Sequence, residues 1–333
     1  MISCRSPKTG GEAKIKQPNI LLLLSDDQSF NTINGLGNKE VSTPNIDRLV
    51  SEGTTFTHAH IMGGKTGAIC MPSRAMIMTG KNVLKFNIQG AITSEDETMP
   101  QLLKEAGYVT FGTGKWHNNR DSYAKSFTHG SNIFLGGMSN HLKVPLHDFD
   151  PSGEYPKKNR RFEDKFSSVL FREATVDFLE NYNEEKPFFA FVSFTSPHDP
   201  RMAPKEYEEM FKTEKISLPE NFEPIHPFDN GELIIRDENL LPFPRTEEAV
   251  LGELASYYAM ISEVDDNIGK ILDALEKSGK YENTIIIFAS DNGLAVGQHG
   301  LIGKQSLYDH SIRVPLIFSG PVIKKGVRTE RFV

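Results

Sequence analysis

The 333-residue chain has only two cysteines, Cys4 and Cys70. Two thiols cannot supply a disulfide framework or a cysteine-rich zinc site, so cysteine usage does not reveal the compartment. Long apolar runs are missing as well. The longest, Ile20-Leu21-Leu22-Leu23-Leu24, has the length of a buried strand and falls far short of the ~20 residues that span a bilayer. Positive charge is in deficit: a net charge of -7 argues against non-specific nucleic-acid binding, although it leaves room for a small anionic substrate bound locally. There is no internal repeat and no low-complexity tract. What is there, 38% hydrophobic and 24% charged, is a globular composition with enough chain to bury a sizeable core.

Residues 1–17, MISCRSPKTGGEAKIKQ, read as a flexible tail. Ile2-Ser3-Cys4 also resembles the end of a bacterial lipoprotein signal without its hydrophobic part, which would make the protein exported, periplasmic or anchored at the cell surface. From residue 18 to 333 the pattern is that of one domain. Short apolar runs at Asn19–Leu24, Tyr108–Thr113, Phe188–Phe194, Thr284–Ala289 and Val314–Ser319 predict strands covered by helices on both faces. Thr43-Pro44 opens a helix that Gly53 closes, and Thr98 caps MPQLLKEA before Gly107. The longest helix follows Thr246, with Leu251, Leu254, Tyr258, Ile261, Ile268, Leu272 and Leu275 at 3–4 spacing. Stretches 120–165 and 196–246 are rich in Pro, Gly, Asn and His and read as long irregular loops, which in compact domains are usually functional.

Chemistry-bearing residues recur just after the predicted strands. Asp26 and Asp27 follow the first, and Asp291-Asn292-Gly293 follows the strand at 284–289. Either pair alone reads equally as a turn or cap. Together they offer all-oxygen ligands suited to Ca²⁺ or Mg²⁺, at the strand ends where open α/β sheets bind ligands. GKWH brings Lys115 and His117 to another strand end, and SPHDP brings His198 to a fourth. One loop histidine is ordinarily a surface residue; two in this topological position suggest a site. Cys70 sits near a helix N-terminus that Pro72 suits, with Arg74 one turn further on. Structural thiol, metal ligand, nucleophile and modification site all remain open from spacing alone.

CMPSR followed by AMIMTGK resembles the signature of the sulfatases. PNILLLLSDDQ, TPNIDRLVSEG, GYVTFGTGKWH, SPHDP, NTIIIFASDNG and GKQSLYDHSIRVPLI occur around it in that family's order, so the resemblance covers nearly the whole chain. It is closest to the type I, formylglycine-dependent sulfatases of the alkaline phosphatase superfamily, and among these to bacterial enzymes acting on sulfated carbohydrates. The resemblance implies an α/β fold with a mostly parallel or mixed central sheet sandwiched by helices. It further implies that a maturation enzyme converts Cys70 to formylglycine, whose hydrated aldehyde attacks the sulfate ester and carries the sulfate before expelling it. Asp26, Asp27, Asp291, Asn292 and residue 70 would hold Ca²⁺ (or Mg²⁺). Arg74 would orient the hydrate, Lys115 and Lys304 would bind sulfate oxygens, His117 would be the base and His198 would serve the leaving oxygen. Ser139, His141, Arg201, His310 and Arg313 are weaker candidates for reading the sugar. One departure is Asp309-His310-Ser311-Ile312-Arg313, where many relatives have Glu-Gly-Gly before the arginine.

Relatives also continue into a helix and a smaller antiparallel sheet that this sequence lacks, which implies a C-terminally truncated catalytic domain and an apolar face left uncovered beyond Val314–Ser319. Two rivals remain: a phosphate or phosphonate ester hydrolase of the same superfamily, and a non-catalytic relic.

Overall fold

The computed structural model describes residues 17–333 except Ala68, so the tail and Cys4 lie outside the described residues. Among these, eight strands form a single sheet: β1 (Asn19–Ser25), β2 (Gly53–His58), β3 (Val109–Lys115), β4 (His129–Phe134), β5 (Phe188–Ser193), β6 (Thr284–Ser290), β7 (Leu316–Ser319) and β8 (Val327–Phe332). Their order across the sheet is β4-β3-β5-β1-β6-β7-β2-β8. β7 runs antiparallel to β6 and β2, and every other pair is parallel, so the sheet is mixed and mostly parallel as expected.

The apolar runs exist because the central strands are buried on both faces. In β1, Leu21 and Leu23 enter one core while Leu22 and Leu24 enter the other. β5 divides in the same way, with Phe188, Ala190 and Val192 on the first side and Phe189 and Phe191 on the second. α1 (Pro44–Glu52) covers the first side, and α2 (Cys70–Thr79), α3 (Met99–Glu105) and α4 (Arg120–Ser126) cover the second. α5 (Ser167–Asn181) then joins the first layer, and α6 (Lys205–Glu208) is a single turn. α7 (Glu247–Lys277) is 31 residues long. Its Ile268, Leu272 and Leu275 lie under the sheet, while Leu254, Tyr258 and Ile261 pack a separate cluster with Ile216 and Val296. α8 (Asp309–Ile312) is again one turn. No described helix is long and apolar enough to cross a membrane.

Thr98 and Thr246 cap their helices by accepting from the N–H of Gln101 and Ala249, at 3.4 and 3.2 Å. Thr43 does not; its hydroxyl donates to Asp47 instead. The stretch 120–165 is less irregular than its composition suggests, for it contains α4 and β4. β7 lies inside the sheet, between β6 and β2, and β8 forms the edge.

α7 carries one ionisable group that its surroundings do not suit. Glu263 is 1% exposed, and burial lifts its carboxyl from an ordinary 4.5 to about 8. Its Oε1 accepts from Asn267 Nδ2 at 2.8 Å, but Oε2 has no hydrogen-bond partner. Below pH 4.5 the group is protonated in both folded and unfolded chains. Between 4.5 and about 8 only the unfolded chain releases the proton, so stability falls as pH rises through that window. Glu263→Gln is expected to stabilise the protein at pH 8, with a ceiling of roughly 5 kcal/mol, and to change little at pH 4. Thermal unfolding at the two pH values measures this; an equal effect at both would mean the carboxyl is not held neutral.

Candidate active site

Parallel strands β1, β3, β5 and β6 end at one edge of the sheet, and their last residues bring the polar motifs together. The register pairs Ser25 with Ser290, so Asp26 and Asp27 emerge beside Asp291 and Asn292. Asp27 takes a left-handed backbone, φ 67°, a conformation Asp adopts more readily than most residues. Its N–H donates to Asp291 Oδ1 at 3.1 Å, and its carbonyl accepts from the Tyr257 hydroxyl at 2.7 Å. The acidic turn is thereby fixed to both β6 and α7.

Cys70 is the first residue of α2 and is 3% exposed. Its sulfur lies 3.6 Å from Asp26 Oδ1, 3.5 Å from Asp27 Oδ1 and 3.6 Å from Asn292 Nδ2. Lys304 Nζ stands 3.0 Å from the same sulfur and donates to both Asp27 oxygens at 2.9 and 2.7 Å. Arg74 follows one helical turn later, 1% exposed, with Nε donating to Asp291 Oδ2 at 2.7 Å. Its Nη1 donates to the Lys115 carbonyl at 2.7 Å and to Ser193 Oγ at 2.6 Å. Lys115, at the end of β3, donates to Asp26 Oδ2 at 2.5 Å. Three carboxylates and three cations therefore share one buried volume, drawn from five parts of the chain.

The two histidines flank this cluster. His117 lies against Gly137, where a Cβ would come 2.4 Å from Nε2; only glycine leaves room for the ring. Its Nδ1 is buried without a partner. Burial, then the charges of Lys115, Arg74 and Lys304, push it down to about 2, so it is neutral at physiological pH. His198 places Nε2 3.6 Å from Asp27 Oδ2 and donates Nδ1–H to the Asp199 carbonyl at 2.8 Å. Burial and then Lys304 and Lys115 hold it well below the ordinary histidine range. Burial likewise raises the carboxyls of Asp27 and Asp291, and raises the Cys70 thiol well above its usual value, with Asp27 and Asp291 adding to the effect.

The ligand chemistry suits a hard cation. Donor atoms of Asp26, Asp27, Cys70 and His198 all lie within 4.8 Å of one another. Asn292 Oδ1 is buried with no hydrogen-bond partner, an orphan that a cation would satisfy. The oxygens of Asp26, Asp27 and Asn292 fit Ca²⁺ or Mg²⁺, whereas zinc would draw on the Cys70 sulfur and the His198 nitrogen.

The weaker candidates lie elsewhere. His141 is 1% exposed and occupied on both nitrogens: Nε2 by the His198 carbonyl at 3.0 Å, Nδ1 by Ser167 and Thr195. It braces the His198 loop from behind and does not reach the mouth. Arg201 pairs with Glu253 and donates to the Ile302 carbonyl at 3.3 Å, tying its loop to α7. Ser139 donates to the Lys143 carbonyl at 3.2 Å within its own loop. His310 and Arg313 line a separate cleft of about 1050 Å³ with Phe30, Tyr258, His299 and Tyr308, a cleft that includes none of the Cys70 cluster. Sequence reasoning missed Ser193, Gly137, Asp199 and Tyr257. Only Asp199 had a visible signal, being adjacent to His198 in the SPHDP loop.

The family model described as Sulfatase matches residues 18–333. The chain belongs to the sulfatase family. A sulfatase of Formosa agariphila is 30% identical over 99% of this chain and 69% of its own length. An N-acetylglucosamine-6-O-sulfatase of Bacteroides thetaiotaomicron is 28% identical over 98% of the chain and 66% of its own length. For the human N-acetylglucosamine-6-sulfatase the values are 28%, 97% and 60%. This sulfatase chain thus spans about three-fifths to two-thirds of the length of these curated relatives. Among solved structures, one in complex with its substrate D-glucosamine-2-N,6-O-disulfate superposes with a TM-score of 0.78 at 24% identity, covering 94% of this chain and 73% of that one. The phosphonate monoester hydrolase of Agrobacterium radiobacter gives 0.77 at 22%, covering 95% and 71%. Both show the fold: an α/β, alkaline phosphatase-like sandwich.

Proposed function

We propose that this chain carries the catalytic centre of a hydrolase for sulfate esters of carbohydrates, with Cys70 converted to formylglycine and one Ca²⁺ held by Asp26, Asp27, Asp291 and Asn292. The observation that carries the reading is the buried Cys70, whose sulfur lies beside Asp26, Asp27, Asn292 and Lys304, with Arg74 and Lys115 paired to Asp291 and Asp26. The carbohydrate class follows from relatives named for N-acetylglucosamine 6-sulfate.

When bound, the cation would neutralise the carboxylates and polarise the ester, and formylglycine would supply a hydroxyl nucleophile. The chain's own groups do the rest. Lys115 and Lys304 reach the sulfur of residue 70 or its carboxylate neighbours from two sides, where they compensate charge on a transferring sulfate. Arg74 is fixed at three atoms and holds Asp291 in place. His117, with its buried Nδ1 unpartnered, is the imidazole left free to take the role of base. In His198, Nδ1 is engaged by the Asp199 carbonyl, so Nε2 is the atom left to face the departing sugar oxygen, to which it would donate only when the ring is protonated.

The test compares hydrolysis of nitrophenyl sulfate and nitrophenyl phosphate by protein co-produced with the maturation enzyme. The mass of the Cys70 peptide reports conversion of CH₂–SH to CHO. Sulfate should be the better substrate, and added Ca²⁺ should raise the thermal midpoint of chelator-treated protein. Faster phosphate turnover would establish the rival hydrolase. Inertness of fully converted protein toward both would establish a non-catalytic chain.

A further inference from the structure

A second cleft, about 530 Å³ and within the size range of small-ligand sites, is lined in part by the residues that follow His117. Asn118 and Gly136 line it, one residue from His117 and from the Gly137 that packs on the His117 ring. Asn118 also ties it to the centre, donating to the carbonyl of Met71, the residue after Cys70, at 3.4 Å.

The lining is cationic and its donors are unspent. Arg160 makes no side-chain hydrogen bond or ion pair among the described residues, although its neighbour Arg161 pairs with Asp148 and Glu163. Arg120 uses only Nη1, toward the carbonyls of Glu154 and Tyr155 at 3.3 and 3.2 Å, and meets no carboxylate. His147 packs edge-on against Tyr155 at 5.7 Å, and neither of its ring nitrogens has a protein partner. Burial, then the charges of Arg160 and Arg120, lower its basicity, as a local positive field requires. The one carboxylate in the lining, Asp121, lies 3.8 Å from Lys125 Nζ. Two arginines without a carboxylate partner in the lining of one small cleft, Arg160 exposed and Arg120 half-buried, suit an oxyanion, which a guanidinium can bind in a fork; a neutral hydroxyl leaves their charge uncompensated.

We infer that the cleft lined by Arg120, His147 and Arg160 is a subsite for a second anionic group, a sulfate or a uronate carboxylate, on the sugar beside the one whose ester is cleaved. This rests on the carbohydrate-sulfatase reading above. The enzyme then selects polyanionic glycans over singly sulfated neutral ones.

The test uses formylglycine-converted protein and three disaccharides: N-acetylglucosamine 6-sulfate linked to a neutral sugar, to a uronate, or to a second sulfated sugar. Arg160→Gln is the informative variant because the side chain supports nothing else in the fold. It should raise KM about tenfold, the scale of one charge-assisted hydrogen bond, for whichever charged partner the cleft takes. kcat should stay within about twofold, KM for the neutral partner should not move, and Arg160→Lys should fall between. The two charged arms tell sulfate from carboxylate. Equal changes for all three disaccharides, or none, overturn the subsite. If the parent hydrolyses no sulfate ester, the functional reading falls. Calorimetric binding of the disulfated disaccharide to the parent and to Arg160→Gln still decides the subsite, and equal affinities overturn it.

Discussion

Cys70→Ala is expected to abolish sulfate-ester hydrolysis, a loss on the order of 10⁴–10⁶-fold, because nothing else in the cluster can supply the nucleophile. The fold should survive. The thiol's polar contacts lie at 3.0–3.6 Å, and removing one sulfur atom from a polar cavity costs about 1 kcal/mol. Activity and thermal unfolding are measured on the same preparation. Turnover within tenfold of the parent would sink the assignment, since the residual groups would then be the catalyst.

Arg74→Met should affect stability as much as activity. The guanidinium is 1% exposed and joins Asp291, the Lys115 carbonyl and Ser193 at once. Asp291, itself fully buried, would lose its nearest cation; breaking such a pair costs about 3–5 kcal/mol. Arg74→Lys restores the charge but not the three-way fork, and should recover only part of the loss. Urea unfolding in chelator gives the stability change. A shift below about 1 kcal/mol would mean that Lys115 and Lys304 already neutralise the carboxylates.

The central strands were legible because burial on both faces forces unbroken apolar runs, and β1, β3, β5 and β6 all appear within two residues of their predicted bounds. Asp26, Asp27, Lys115, His198, Asp291 and Asn292 followed from them, since those motifs sit at or just after strand ends, whereas the roles of Cys70, Arg74 and Lys304 came from the resemblance. β2 and β8 were harder to see. GTTFTH and VRTERF are mostly polar, as a half-covered flank and an exposed edge allow, and look like loop in isolation. β4, HGSNIF, was hidden among Gly and Asn that serve a packing purpose: a Cβ at Gly130 or Gly112 would meet the Tyr123 hydroxyl at 2.7 or 2.5 Å. The peripheral candidates Ser139, His141, Arg201, His310 and Arg313 rested on the resemblance and on their place in loops, with no strand end to fix them. Hydrogen-bond partners, which depend on the folded path, decide where such side chains point.

The burial of Cys70 also sets a schedule. Its sulfur is enclosed by Asp26 and Asp27 from the start of the domain and by Lys304, 234 residues after Cys70 in the chain. Until Lys304 has been synthesised, that wall of the pocket does not exist, and the CMPSR segment is open to another protein. At the usual 5–20 residues per second, the interval is on the order of 10–50 s. On the proposed function, a maturation enzyme that grips the peptide around Cys70 would have that long to act on the growing chain; afterwards the thiol is enclosed, and reaching it would require unfolding. The yield of converted protein should therefore depend on how fast the ribosome works relative to the modifier, so that slower translation gives a larger fraction of competent molecules from the same amount of modifying enzyme.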